Sequence, residues 1–95
     1  MRFEWDYRKA RTNLGKHRVS FEFARRVWDD PFCLIYPDRF ENGEERWHAL
    51  GLIEGVLVLV VVHSYPDQDD PDRVRIIGAR RATRHERRRY EQQAP

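Results

Sequence analysis

The run Val56–Val62, VLVLVVV, narrows the folds open to this chain more than any other stretch. A half-buried strand alternates apolar and polar residues; this run has no alternation, which predicts a central strand covered on both faces. It is far too short to span a bilayer. Arg46–Ile53 reads as its neighbour, joined through Glu54–Gly55 as a hairpin. With 95 residues, the chain is expected to form one domain, 1–95, with a modest core.

The remaining elements follow from local signals. Arg2–Trp5 reads as a short strand. Asp6 is a helix N-cap, and residues 7–16 are expected to be helical, with Lys16 and His17 at the C-terminus where the helix dipole favours cations. Ser20 caps a second helix that places Phe21, Ala24, Val27 and Trp28 on one face, and Asp30–Pro31 stops it. Phe32–Tyr36 reads as a strand, Pro37–Glu45 as a polar loop around the Asn42–Gly43 turn, and Tyr65–Asp72 as an acidic loop with two prolines. Val74–Ala79 is β-branched and strand-like. Thr83 with Glu86 three residues on is a capping box that opens the last helix, and Gln92–Pro95 are expected to fray. The order β, α, α, four strands, α predicts an α+β fold: a mainly antiparallel four- to five-stranded sheet, two N-terminal helices packed on it, and one C-terminal helix.

Charge is segregated along the chain. Residues 1–26 carry eight Lys+Arg against three acids, residues 27–72 two against eleven, and residues 73–95 eight against two. If the basic ends meet in the fold, they form a positive face suited to a polyanion. The single cysteine, Cys33, excludes a disulfide framework and reads as a buried small hydrophobe. No signal-peptide or membrane pattern is read, so the expected compartment is the cytoplasm, with no membrane partner. Histidines 17, 48, 63 and 85 and the aspartates of the acidic loop lack metal-ligand spacing, so no metal and no cofactor are expected. His63 is expected to be a hydrogen-bonded strand-end histidine, and Trp5, Trp28 and Trp47 are expected in the core.

What remains is a cationic constellation: Lys9, Lys16 and His17 from the first helix, with Arg73, Arg75, Arg80, Arg81 and Arg84 from the last strand and helix. Arg80 and Arg81 end a strand beside a helix N-terminus, which is a place for a phosphate. Cations and an imidazole suffice to cleave RNA: the ribose 2′-OH attacks the adjacent phosphate as a base takes its proton, fixed cations stabilise the extra charge, and an acid protonates the leaving oxygen. Histidine, with an unperturbed pKa of about 6.5, suits either proton transfer, and arginine suits the charge role. Two other classes use the same residues: a nucleic-acid-binding module without catalysis, and an interaction domain whose basic helix docks an acidic partner.

FEWDYRKARTNLGKHRVSFEFARRVWDDP resembles the N-terminus of the BrnT family of bacterial toxins, with its WD, K-x-x-x-N-x-x-KH and VSFEEA-like elements. VLVLVVVHS and RVRIIGARRATRHERRRYE resemble the family's second half, with its R-I-I-S-A-R…T-x-x-E-R-x-x-Y pattern. The resemblance implies a RelE-like fold and a ribonuclease that halts translation. It also implies a ribbon-helix-helix antitoxin of the BrnA kind, with operator DNA contacted only through the toxin–antitoxin complex. The matching positions are Asp6, Lys9, Asn13, Lys16, His17, Arg75, Arg80, Glu86, Arg87 and Tyr90. Asp6 is read as a cap and Asn13 as a hydrogen bonder between elements. Arg80, His17 and Lys16 are the expected catalytic residues; Lys9, Arg73, Arg75, Arg81, Arg84 and Arg87 are the expected RNA contacts. Two positions depart from the family pattern. Arg18 stands where glycine is usual, which argues against a left-handed C-cap, and Gly78 replaces a serine. The Tyr65–Asp72 loop is longer and more acidic than usual, and so is expected to obstruct or tune access.

Overall fold

The computed structural model describes residues 1–93. In chain order the elements are β1 (Arg2–Trp5), α1 (Tyr7–His17), α2 (Phe21–Ala24) running into a 3₁₀ segment (Arg25–Asp29), β2 (Leu34–Glu41), β3 (Glu44–Ile53), β4 (Leu57–Ser64), β5 (Arg73–Arg81) and α3 (Arg84–Gln93). The five strands lie in the order β1-β5-β4-β3-β2. Three of the pairings are antiparallel, but β1 runs parallel to β5, so the sheet is mixed.

Strand β4 is the middle strand of the five, and its unbroken apolar run serves two cores. Leu57, Leu59 and Val61 pack with Phe21, Ala24 and Val27 on one face. Val58 and Val60 pack with Leu50 and Tyr90 on the other. Each fully buried side chain of this size contributes about 1.5–3 kcal/mol. The segment after Ser20 forms only one α-turn before tightening to 3₁₀, a correction to the single helix expected there. Gly51 marks the close approach: a Cβ there would stand 2.6 Å from Val27 Cγ1 and 2.8 Å from Val27 O.

Strand β2 runs on to Glu41, so the polar loop expected over Pro37–Glu45 is mostly strand. Asn42 (φ 52°) and Gly43 (φ 79°) make a two-residue turn, and Glu54 (φ 56°) and Gly55 (φ 70°) make another, as hairpins require. The polarity of this stretch reflects its edge position, where Pro37 is tolerated beside a register irregularity between Pro37 and Arg39.

Helix α1 begins as expected, with Asp6 accepting from Arg8 N at 2.8 Å and Lys9 N at 3.1 Å. It ends in a left-handed cap despite the missing glycine: Arg18 adopts φ 60° and donates its N–H to Leu14 O. Because β1 stops opposite Ile76, the rest of β5 has an open edge. Asn13 covers it as a strand would, donating to Ala79 O at 2.9 Å and accepting from Ala79 N at 3.1 Å. Its Nδ2 also donates to Val19 O.

Gln92 and Gln93, expected to fray, form the last turn of α3, where Gln93 donates to Phe32 O; Ala94 and Pro95 lie outside the described residues. His63 is buried, its ring within 3.2 Å of Val61 O and of the Tyr65 hydroxyl, and burial lowers its pKa to about 4. Cys33 is partly buried against the first core, and burial pushes its thiol up to about 12. Trp5 and Trp28 also pack on that core. Trp47 does not; it stands beside Tyr65 at a surface groove. No helix among the described residues is long and apolar enough to cross a membrane.

Candidate catalytic cluster and basic surfaces

Strand register assembles the candidate site on the face of the sheet that carries α3. Cross-strand partners Tyr36, His48, Val62 and Gly78 form one row. The row on one side is Leu34, Leu50, Val60 and Arg80; on the other, Ser64 faces Arg75, which faces Glu4. Helix α3 lays Tyr90 on Leu50 and Val60. Gly78 has no packing need to be glycine. A Cβ there would meet only ordinary contacts, Asn13 Oδ1 at 3.7 Å and Val62 Cβ at 3.9 Å.

His48 sits between two partners. Its Nδ1 is 3.2 Å from the Tyr36 hydroxyl, and its Nε2 is 3.3 Å from Asp38 Oδ2. The carboxylate favours a proton on Nε2, which leaves Nδ1 to accept from the Tyr36 O–H. Burial lowers the pKa of His48, opposed by Asp38 and reinforced by Arg80, so the ring is neutral near pH 7. Burial also raises that of Tyr36, keeping the phenol protonated. The Arg89 guanidinium lies over the Tyr36 ring, 3.9 Å from its centroid.

Arg80 is fixed by a fork, donating through Nη1 to Glu86 Oε1 at 2.7 Å and through Nη2 to Glu86 Oε2 at 3.0 Å. Glu86 also completes the expected capping box: it accepts from Thr83 N at 2.8 Å, and its own N–H donates to Thr83 Oγ1. Bonded by Arg80 above all, its carboxyl falls to about 2. The anion held by Arg80 at this helix N-terminus is therefore the chain's own Glu86.

The other expected site residues are divided among separate places. Arg73 and Arg75 share Glu4, at 2.6 Å and 3.1 Å. Lys9, Lys16 and His17 line a shallow groove of α1 together with Arg8, Thr12, Asn13 and Ile77 of β5, and Arg80 is not part of it. Arg81, Arg84 and Arg87 are exposed. The catalytic trio expected from the sequence is thus split, with Lys16 and His17 on α1 and Arg80 beside Tyr36 and His48. Sequence reasoning missed Tyr36, Asp38 and His48. Counting outward from the Asn42–Gly43 turn pairs Tyr36 with His48 only if one extra residue is allowed on β2, and that irregularity falls at Asp38.

Residues 5–86 match the family model described as "Ribonuclease toxin, BrnT, of type II toxin-antitoxin system". The chain belongs to the BrnT family. Its membership makes it a toxin of a type II toxin–antitoxin system in a family described as ribonucleases, with an antitoxin as its partner. The crystal structure of the ribonuclease toxin BrnT from Brucella abortus superposes with a TM-score of 0.67 at 24% identity, covering 88% of this chain and 99% of that one. That likeness establishes a shared BrnT fold, the α+β arrangement with its mixed five-stranded sheet. No curated protein sequence matches the chain.

Proposed function

We propose that this toxin is a metal-independent endoribonuclease that cuts RNA through the ribose 2′-OH and so halts translation. On this reading it is neutralised by a ribbon-helix-helix antitoxin, through which alone it meets operator DNA. The observation that carries the reading is the Tyr36–His48 pair, hydrogen-bonded at 3.2 Å on the sheet face that also bears the fixed Arg80. The 2′-oxygen attacks phosphorus and the 5′-oxygen leaves, giving a 2′,3′-cyclic phosphate and a 5′-hydroxyl. The neutral His48 and the protonated Tyr36 move the two protons, and Arg80 stabilises the charge that builds on the phosphate oxygens. Arg80 has donors to spare, since a guanidinium carries five N–H groups. Every step uses side chains already present.

Lys9, Arg73, Arg75, Arg81, Arg84 and Arg87 hold the RNA backbone in this scheme. A second reading gives proton transfer to Lys16 and His17, favoured by their shared groove on a basic helix. A third makes the basic surfaces a binding module without chemistry. Incubating the purified protein with a structured RNA in excess EDTA is expected to give cyclic-phosphate ends and no cutting of the matching DNA strand. Loss of activity in EDTA with recovery on adding magnesium overturns the mechanism, and intact RNA throughout leaves the binding module.

A further inference from the structure

A groove of about 550 Å³ opens between the β2–β3 hairpin and the Tyr65–Asp72 loop, and its chemistry is opposite to that of the basic surfaces. Its lining includes Phe40, Trp47, Tyr65 and Pro66, with Glu44 and Glu45 as its charged residues. Phe40 is 73% exposed, far more than an aromatic ring needs to be on a strand. Trp47 and Tyr65 meet edge to face at 5.7 Å and form an apolar wall.

Among the described residues these carboxylates have no counter-ion. Nearby Arg39 and Arg46 are both directed at Glu41, and among the described residues Glu44 and Glu45 form no ion pair. Glu44 even stands directly across the hairpin from Glu41, a like-charge pairing that works against the fold. The acidic loop is held in shape: Asp67 accepts from Asp69 N and Asp70 N, and Asp70 is paired with Arg2. The loop thus forms a wall of this groove. Beside it runs β2, the edge strand, whose outer backbone groups are unpaired in the sheet.

We propose that this groove is the docking site for an extended segment of the antitoxin polypeptide, one that presents a lysine or arginine to Glu44 and Glu45 beside an apolar side chain on Phe40 and Trp47. Two carboxylates without a cation in the lining repel a nucleic-acid backbone, and the free strand edge suits a polypeptide. The inference rests on membership in a toxin–antitoxin family, independently of how RNA is cut.

The test is affinity for the purified antitoxin encoded with the toxin. Glu44→Lys combined with Glu45→Lys is expected to raise Kd at least 10-fold, and Phe40→Ser to raise it comparably. Phe40 and Glu45 are exposed and Glu44 half-buried at the end of the hairpin, so both variants should melt near the parent temperature. Salt should weaken the parent complex and matter less for the charge-reversed variant. Unchanged Kd in both variants overturns the proposal. So does a concentration-dependent self-association of the free toxin that Phe40→Ser abolishes while antitoxin affinity stays constant, since the occupant is then a second copy. Loss of affinity for a 2′-deoxy RNA analogue alone, with antitoxin binding intact, overturns it in favour of nucleic acid. The readout is binding, so a toxin that cuts no RNA leaves the test intact.

Discussion

Helix α1 and strand β5 are both basic, yet they hold most of their cations in different ways. Among the described residues, Arg8, Lys9, Arg11 and Lys16 of α1 form no ion pair, whereas Arg73, Arg75 and Arg80 of β5 are each bonded to a carboxylate. A free surface cation attracts a polyanion over a distance of about one Debye length and adapts to whatever arrives. A forked arginine is held in one rotamer, so its remaining N–H groups point in fixed directions, which is what transition-state stabilisation requires. On the proposed reading, α1 gathers RNA and β5 positions it.

The largest expected effect breaks the β5 side. Arg80→Ala and His48→Gln should each lower single-turnover cleavage by about 10²-fold or more. Affinity for a 2′-deoxy analogue should fall much less. His17→Gln and Lys16→Ala on α1 should lower affinity without a comparable loss in rate. If instead the α1 variants lose the rate and His48→Gln keeps it, proton transfer belongs to the α1 groove.

A smaller effect probes how Arg80 is held. Glu86→Gln keeps the shape but removes the charge that orients the guanidinium, and should cost about 1–2 kcal/mol of stability after allowing for solvent screening. The hydrogen bonds from Arg80 lower the Glu86 carboxyl from its ordinary 4.5 to about 2 in the folded state. Its contribution is therefore fully present above pH 4.5 and is lost as pH falls toward 2. Melting curves from pH 6 to pH 2 should converge for parent and variant at the acid end. A constant gap between them would mean that Glu86 acts through packing.

What the sequence made legible was whatever depended on neighbouring residues. The unbroken VLVLVVV run placed β4 at the centre, and Thr83 with Glu86 located the start of α3. The candidate site was harder to read because it depends on register. Tyr36 and His48 face each other only through the irregularity near Asp38 on an edge strand whose polar residues read as loop. The parallel β1–β5 pairing was equally hidden, since no local signal tells a four-residue strand which way its neighbour, about 70 positions later, will run. Glu86 had two roles, and only the cap was visible, because its second partner, Arg80, belongs to the preceding strand.

Salt titration sharpens the comparison from the α1 side. On a non-cleavable 2′-deoxy substrate, log affinity should fall linearly with log salt at a slope of about −0.7 per single-strand phosphate neutralised. Lys9→Ala with Lys16→Ala should make that slope shallower by about 1.4 if both cations sit on phosphates. An unchanged slope would assign RNA contact to β5 and α3, with their exposed Arg81, Arg84 and Arg87.

The smallest effect is the most discriminating, because it separates charge from conformation at the residue that caps α1. Arg18 occupies the left-handed region at φ 60° and is exposed. A non-glycine residue there carries a steric penalty of about 1–2 kcal/mol between its Cβ and the backbone. Arg18→Gly removes that penalty but gains entropy in the unfolded chain, which offsets part of it. A net gain of about 0.5–1 kcal/mol is expected, and a chain of this size should melt roughly 2–6 °C higher. The same substitution deletes one free cation, so affinity for the 2′-deoxy analogue should fall by no more than a few-fold and the salt slope should lose at most about 0.7. Stability and binding should thus move in opposite directions. If the variant melts lower, the Arg18 side chain holds α1 in place, and the helix is then more than a set of free charges.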